Sequence, residues 1–211
     1  MPQNPHRPII LLVAICSLAL SGCLAGGPGK PTNYYVLNSL YSSGMETRAV
    51  AELKNIAIAV GPIRLPQYLD RPQMVTRAQP NEIKIAEFSQ WSEPLRVNFA
   101  RVLAENLTIL LDSEQIIIFP FLKEAFFDYQ ITVEVTRFDG NLEEGAQMRA
   151  SWTIWGPKRG EVLLKKYSFF NEPVSSADMD ALVAAESRTV ADLSKEIAEA
   201  IIGLVRDRPA D

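Results

Sequence analysis

Thiol and imidazole side chains, which act as nucleophiles, bases and metal ligands, occur only near the start of this 211-residue chain. They are the two cysteines, Cys16 and Cys23, and the single histidine, His6. Cys16 lies inside an apolar run and is interpreted as filler. Cys23 follows the small residues Ser21 and Gly22 directly after that run, so its thiol is the candidate site for covalent modification.

The N-terminal segment has the parts of a cleavable export signal. Its only fixed charge is Arg7, and residues 9–20 are almost wholly apolar. A spanning helix needs about 20 apolar residues, whereas a positive start, a core of roughly 7–15 apolar residues and a small-residue end are typical of a signal peptide. Residues 20–23, Leu-Ser-Gly-Cys, resemble the lipobox of bacterial lipoproteins. We therefore predict a signal peptide over residues 1–22 and lipid attachment at Cys23.

Residues after the cleavage point indicate the place of anchoring. In enteric lipoproteins an Asp at this position retains the protein at the inner membrane, and here the residue is Leu24. Resemblance to that rule implies the outer membrane, with the domain facing the periplasm. Glycines and prolines are frequent between Leu24 and Asn33, so residues 23–33 are expected to form a lipidated, flexible tether. We assign residues 34–206 to one domain and residues 207–211 to a tail.

Composition argues against an enzyme. Loss of the signal removes His6, and lipid occupies the one remaining thiol, so Ser–His pairs, Cys–His pairs and the usual zinc sites are excluded. Acids such as Glu143 and Glu144 are interpreted as solvated surface, and no glycine-rich phosphate loop is present. The predicted mature chain has 20 basic and 25 acidic residues, a net charge of −5. We expect no catalytic residues, no cofactor, no metal and no nucleic-acid partner.

Hydrophobic periodicity predicts an α+β fold. Strand patterns occur at residues 34–40, 54–60, 73–77, 82–88, 116–121, 128–138, 147–155 and 161–170. A loop is expected at residues 41–53, an irregular proline-containing crossing at 63–72, and turns at 78–81, 139–141 and 156–160. The strand at 116–121 is expected to be buried, and the last three strands are expected to form an antiparallel meander.

Two segments have helical spacing. The first helix is predicted over residues 92–111, with Ser92 as its N-cap. The second is predicted to begin near residue 175 and to end near residue 205, with the carboxylate of Asp178 placed to interact favourably with the positive end of the helix dipole. A seam of apolar residues repeats along the second helix, and packing on the sheet is favoured over a helix of another subunit. We predict a mostly antiparallel sheet with two main helices packed on one face, preceded by a signal peptide and a flexible tether. The seam residues are Val183, Val190, Ile197 and Leu204.

Several stretches closely resemble the ABC-type transport auxiliary lipoprotein family. Residues 61–77, GPIRLPQYLDRPQMVTR, are similar to that family's hallmark stretch. Residues 86–95, AEFSQWSEPL, are similar to its Trp-x-Glu-Pro-Leu segment, and residues 127–129 and 137–140, FDY and RFDG, to a later strand. The order of these motifs also fits, and the resemblance covers residues 34–204.

The resemblance implies a non-enzymatic accessory protein with an α+β fold. Such lipoproteins are encoded beside transporters that contain MCE domains, which move phospholipids or other hydrophobic molecules between the inner and outer membranes. The implied partner is the MCE-domain transporter protein, met from the outer membrane and, in at least some members, by a ring-shaped homo-oligomer.

Five residues of the matching stretches are candidates for partner contact: Tyr68, Leu69, Asp70, Arg71 and Trp91. Tyr68 and Leu69 are favoured, because a loop held between prolines presents side chains with little loss of entropy. Structural roles are the alternative, with Asp70 and Arg71 pairing or capping a turn and Trp91 packing over the start of the first helix.

Two other functions stay open at this point. A lipoprotein activator or scaffold of cell-wall synthesis would bind a synthase rather than a transporter. A carboxylate-dependent envelope hydrolase would need two carboxylates about 5–9.5 Å apart if it cleaved glycosides, and nothing in the spacing of the acids indicates such a pair.

Overall fold

The computed structural model describes residues 30–40, 53, 55–121, 126–158 and 160–207. The chain divides into two compact units, residues 1–31 and 32–211, and every helix and strand described belongs to the second. The predicted signal peptide, Cys23, most of the predicted tether and nearly all of the loop expected at residues 41–53 lie outside the described residues.

The described residues form eight strands and two α-helices. In chain order these are β1 (Asn33–Tyr35), β2 (Ile58–Arg64), β3 (Gln73–Gln79), β4 (Glu82–Trp91), α1 (Leu95–Leu111), β5 (Ile116–Ile118), β6 (Tyr129–Asn141), β7 (Gly145–Trp155), β8 (Val162–Glu172) and α2 (Met179–Arg206). A single turn of 3-10 helix, Gln67–Leu69, lies between β2 and β3.

The strands form one mixed sheet. Its order is β1-β4-β3-β6-β2-β5, with β7 added to β6 and β8 added to β7. The β3–β4 hairpin and the β6–β7–β8 meander are antiparallel, as predicted. The pairs β1–β4, β2–β5, β2–β6 and β3–β6 are parallel, and such pairs need long crossover connections. The chain between β2 and β5, which contains α1, provides one, and the α+β class is confirmed.

Helix α2 packs on the sheet and on α1. Asp178 caps its N-terminus, where Oδ1 accepts a hydrogen bond from the Ala181 N–H at 2.8 Å. The expected place of Asp178 near the helix start is confirmed, but the helix begins at Met179 and not near residue 175. Val183, Val190 and Ile197 are buried in the core between helix and sheet. The seam therefore packs inside the domain, as favoured from the sequence.

Strand β2 runs through Gly61 and Pro62, where the sequence predicted its end. The register between β2 and β6 shifts between Val60 and Ile63, because Pro62 has no N–H to give to the ladder. Gly61 has a φ of +115°, a conformation that favours glycine, and its carbonyl accepts a hydrogen bond from Gln130 at 2.8 Å. Strand β2 therefore extends to Arg64, and the irregular crossing predicted for residues 63–72 begins only after that residue.

The first strand is shorter than predicted. It ends at Tyr35, and the backbone beyond it is held by helix side chains rather than by a strand. The Leu37 N–H donates to Asn98 Oδ1 and the Leu40 N–H donates to Asn106 Oδ1, both at 2.8 Å. The side-chain oxygens of Asn98 and Asn106 accept the backbone N–H groups that would otherwise donate to a neighbouring strand. Residues 36–40 therefore run beside α1 and are not a strand.

The predicted start of α1 is wrong. The helix begins at Leu95 with Pro94 at the N-cap position and no side-chain cap bond. Ser92 therefore lies two residues before the N-cap and outside the helix. Asp112 ends it in the left-handed conformation, with φ of +49°.

Two expectations along β5 and β6 are also wrong. Strand β5 is not fully buried, because it is the last strand at one edge of the sheet, and Ile118 and Phe119 are 38% and 47% exposed. No turn occurs at residues 139–141, since β6 continues to Asn141. The turn follows at residues 142–144, where Asn141 Oδ1 accepts the backbone N–H groups of Glu143 and Glu144.

Candidate partner-binding site

The hallmark stretch makes its tightest bend between Pro66 and Pro72. Within it, the Leu69 N–H donates to the Pro66 carbonyl at 3.0 Å and the Asp70 N–H to the Gln67 carbonyl at 3.1 Å. These local bonds fold residues 66–70 into one compact turn. The turn faces Asp70 to solvent and Leu69 to the core.

The expectation that this turn presents Leu69 at the surface is wrong. The Leu69 side chain is 4% exposed and belongs to the main core. The 3-10 turn places successive side chains on different sides, so only some can face out. Direct contact of Leu69 with a partner would need the turn to open.

Tyr68 is half-buried and forms part of a polar cluster around Asp139. Its hydroxyl donates to Asp139 Oδ2 at 2.7 Å. Arg77 donates to both carboxylate oxygens, at 3.0 Å from Nε and 2.6 Å from Nη2, and Arg137 donates to Oδ1 at 2.8 Å. Asp139 is fully buried, so one carboxylate joins the hallmark stretch to β3 and β6.

The Asp139 cluster is fixed electrostatically. Burial alone would raise the pKa of Asp139, but the hydrogen bonds from Arg77, Tyr68 and Arg137 outweigh it and hold that pKa below its ordinary value. Burial, together with the hydrogen bond to Asp139, raises the pKa of Tyr68 to about 12. The hydrogen bond to Asp139 raises the pKa of Arg77. The cluster therefore keeps its charges across the neutral pH range.

A second buried carboxyl, Glu186 of α2, was not predicted. It is 3% exposed, and its Oε2 has no hydrogen-bond partner in the described part of the chain. Burial, followed by the charge of Asp139, raises its pKa well above the ordinary value, so Glu186 keeps its proton to a higher pH than Asp139 does. The sequence spacing could have indicated its burial, because Glu186 follows Val183 by three residues and precedes Val190 by four, which places all three on the same face of the helix.

Three of the five candidate contact residues line one groove. This Arg71–Trp91 groove is formed by residues 70–72 and 91–95 and has a volume of about 340 Å³. It exists because the Trp91 N–H donates to the Pro72 carbonyl at 2.8 Å, which holds the end of β4 beside the turn. Asp70, Arg71 and Trp91 thus meet in space, while Tyr68 lies in the polar cluster and Leu69 in the core.

Glu93 connects the groove to α1. Its Oε1 accepts from Asn98 Nδ2 at 2.8 Å and from Arg101 Nη2 at 2.7 Å. The hydrogen bond from Arg101 to Glu93 raises the pKa of Arg101, which in turn also pairs with Glu105 at 2.9 Å. Glu93 therefore does not cap the helix backbone, and it holds one side of the groove in place.

Neither of the described helices is long and apolar enough to cross a bilayer. Among residues 30–40, 53, 55–121, 126–158 and 160–207, no three His, Cys, Asp or Glu side chains are grouped so that they would hold a metal ion.

The described residues form an α+β domain in which two helices pack on an open mixed sheet. A groove lies where the hallmark stretch meets the end of β4. The chain belongs to the family of ABC-type transport auxiliary lipoprotein components, whose model matches residues 35–198. The resemblance of the hallmark stretch is thereby confirmed. Membership assigns the chain an auxiliary role in transport, a transporter as partner, and a membrane-associated, periplasmic location.

Solved structures share the fold. A crystal structure of an uncharacterized protein matches with a TM-score of 0.66 at 19% identity, over 82% of this chain and 99% of its own. Protein XCC0632 from Xanthomonas campestris, of family model DUF330, matches with a TM-score of 0.65 at 14% identity, over 83% of this chain and 98% of its own. Identities this low show the fold alone. No curated protein matches the chain by sequence.

Proposed function

We propose that this protein is a lipid-anchored, non-catalytic accessory subunit of an MCE-type transporter that moves phospholipids or other hydrophobic molecules between the inner and outer membranes. The observation that carries the proposal is the family match over residues 35–198. The meeting of Asp70, Arg71 and Trp91 in one groove supports a binding role, and the subunit is proposed to work as a homo-oligomer.

The anchor is proposed to be the acylated Cys23 in the outer membrane. Each buried CH₂ of an acyl chain contributes about 0.8 kcal/mol, so two or three chains hold a protein far more firmly than one. The Leu24 that follows it supports the outer membrane, and the glycines and prolines of residues 24–33 support a tether.

The absence of catalysis is proposed on chemical grounds. No histidine or cysteine follows Cys23 in the sequence. The most buried carboxylate of the polar cluster, Asp139, accepts bonds from Tyr68, Arg77 and Arg137. A carboxylate engaged by three donors, with its pKa lowered, is a weak general base. These features support a structural role for Asp139.

Site-specific photocrosslinking in intact cells tests the proposed function. A photoreactive residue in place of Asp70, which is exposed at the groove, is expected to capture an MCE-domain protein. The same residue in place of Glu199, exposed on α2, is the matched control and should capture less of it. Capture of a cell-wall synthase from position 70, with no MCE-domain protein, would replace the proposal with the cell-wall activator function.

A further inference from the structure

A buried donor without an acceptor lies in the lining of the Arg71–Trp91 groove. The Nε of Arg71 is shielded from solvent and has no hydrogen-bond partner among the described residues. A buried N–H without an acceptor raises the free energy of the folded protein. An acceptor delivered by a ligand would remove that cost, so Arg71 indicates a binding site awaiting a hydrogen-bonding group.

The charges of the groove that face a ligand are those of Arg71 and Asp70. Asp70 is exposed at the groove, and the carboxylate of Glu93 in the lining is paired with Arg101 at 2.7 Å. A phosphate or carboxylate would be attracted to Arg71 but repelled by Asp70, whereas a ligand with an acceptor for Arg71 and a basic group for Asp70 would satisfy both. The groove therefore fits a ligand that brings carbonyl oxygens and a positive charge.

Both edges of β4 beside the groove are already paired, so a ligand cannot add a strand to β4. The Trp91 N–H donates to the Pro72 carbonyl, and the Ser92 N–H donates to the Tyr35 carbonyl, each at 2.8 Å. Strand β1 covers the other edge of β4, with Tyr35 beside Trp91 in register. Recognition within the groove therefore uses side chains, because adding a strand to β4 requires a free edge.

The walls of the groove suit a polyproline II segment. Pro72 and Pro94 are exposed, and the nearly buried Trp91 and Leu95 line the same groove. Grooves that bind such segments are lined by aromatic side chains. A polyproline II chain makes no internal hydrogen bonds, so its carbonyls are free for a donor such as Arg71, and its prolines lose little entropy on binding.

From these contacts we infer that the Arg71–Trp91 groove binds an extended, proline-containing peptide segment of the partner protein, with Arg71 donating to a main-chain carbonyl and Asp70 facing a basic residue of the segment. The inference rests on the proposed function, since it names the kind of partner surface that the same groove receives.

Indole resonances of the lipidated full chain, labelled with ¹⁵N and held in detergent micelles, provide the test. The synthetic blocked peptide PPPKPPP should shift the Trp91 indole signal saturably. The blocked peptide AAAKAAA, of equal length and charge, should bind at least about tenfold more weakly. Trp152 and Trp155 donate to Ser168 and Thr132 elsewhere on the sheet, so their signals should stay in place.

Three results would overturn the inference: a Trp91 signal unmoved by PPPKPPP, an equal response to AAAKAAA, or a response to inorganic phosphate in place of the peptide. The variant Arg71→Met should bind PPPKPPP about tenfold more weakly, as expected for one lost hydrogen bond, with unchanged Trp152 and Trp155 signals as the check of folding. Equal affinity of a folded Arg71→Met variant would remove the assigned role of Arg71.

A surface variant covers the case in which Arg71→Met does not fold. Asp70→Asn changes an exposed side chain and should weaken binding of PPPKPPP but not of the all-proline peptide PPPPPPP. Equal affinities of Asp70→Asn and the unchanged protein for PPPKPPP would overturn the role of Asp70. Peptide binding without capture of an MCE-domain protein would leave this inference standing and reject the proposed function, and capture without peptide binding would do the reverse.

Discussion

The hydroxyl of Tyr68 lies 2.7 Å from Oδ2 of Asp139 and donates a hydrogen bond to it. The two residues are 71 positions apart in the chain, so the bond joins the hallmark stretch to the far end of β6. Arg77 and Arg137 bind the same carboxylate. The bend from Pro66 to Pro72, which carries Asp70 and Arg71, is therefore linked to β6 through one buried acid.

Removal of the Tyr68 hydroxyl should destabilise the domain. Tyr68→Phe keeps the ring but leaves one position of a buried charged acceptor unfilled, which costs about 1–3 kcal/mol of unfolding free energy. Urea unfolding of the purified protein measures this. Tyr34→Phe is the control, because Tyr34 is 66% exposed, and equal effects of the two substitutions would contradict the role of Tyr68.

Asp139 should make stability depend on acid pH. Its pKa is lower in the folded than in the unfolded protein, so its contribution is present above the unfolded pKa, about 4, and is lost as pH falls through the folded value. Asp139→Asn should lose about 3–5 kcal/mol at neutral pH, because Arg77 and Arg137 lose their buried partner.

The difference between Asp139→Asn and the unchanged protein should shrink as the pH falls below about 4. Urea unfolding across a pH series measures it, with Glu87→Gln, exposed on β4, as the control. A gap that stays constant down to the lowest pH would show that the carboxylate charge is not what stabilises the cluster.

Glu186 should make the stability of the fold depend on pH in the sense opposite to Asp139, and at higher pH. Its pKa is raised in the folded protein, so its contribution is fully present below the unfolded pKa and is lost as pH rises through the folded value. The loss has a limiting slope of about 1.4 kcal/mol per pH unit.

Glu186→Gln keeps the shape of the neutral acid and should remove this alkaline loss of stability. Melting temperatures measured between about pH 5 and pH 9 should decline less in the variant as pH rises. Glu199→Gln, exposed on α2, should decline like the unchanged protein. Parallel curves for all three proteins would contradict a raised pKa at Glu186.

Lipid attachment should depend on Cys23 and not on Cys16. Cys23→Ser removes the thiol and should leave the protein unprocessed or free of lipid, whereas Cys16→Ser should be processed and anchored normally. Membrane fractionation and mass spectrometry of the N-terminus measure both. An unmodified Cys23 in native protein would reject the anchoring proposal.

Elements with nearby partners were predictable from the sequence. Residues 129–135 alternate in β6, whose partner β7 follows directly, and the Asp178 cap acts three residues away on Ala181. Periodicity and capping are local signals, so they survive without knowledge of the fold.

Elements held by distant side chains were not predictable in the same way. Residues 36–40 read as a strand because nothing local shows that Asn98 and Asn106 would take their N–H groups. Asp139 was predicted to lie in a turn because its partner Arg77 is 62 positions away, and no local pattern indicates their hydrogen bond. Long-range hydrogen bonds override local propensity in both cases.

The candidate site was predictable only in part. Resemblance located Asp70, Arg71 and Trp91, and the β3–β4 hairpin brings them together through the bond from Trp91 to Pro72. Burial of Leu69 was missed because an irregular turn has no period to read.

Strand β1 has a mechanical consequence. It is the first strand of the domain along the chain, and it pairs through only three residues with β4, ending with Tyr35 beside Trp91. Tension applied to the chain at Asn33 would therefore load those three pairs first, at the border of the groove. Under the proposed anchoring and peptide binding, a pull from the membrane and a peptide in the groove would act beside the same three residue pairs.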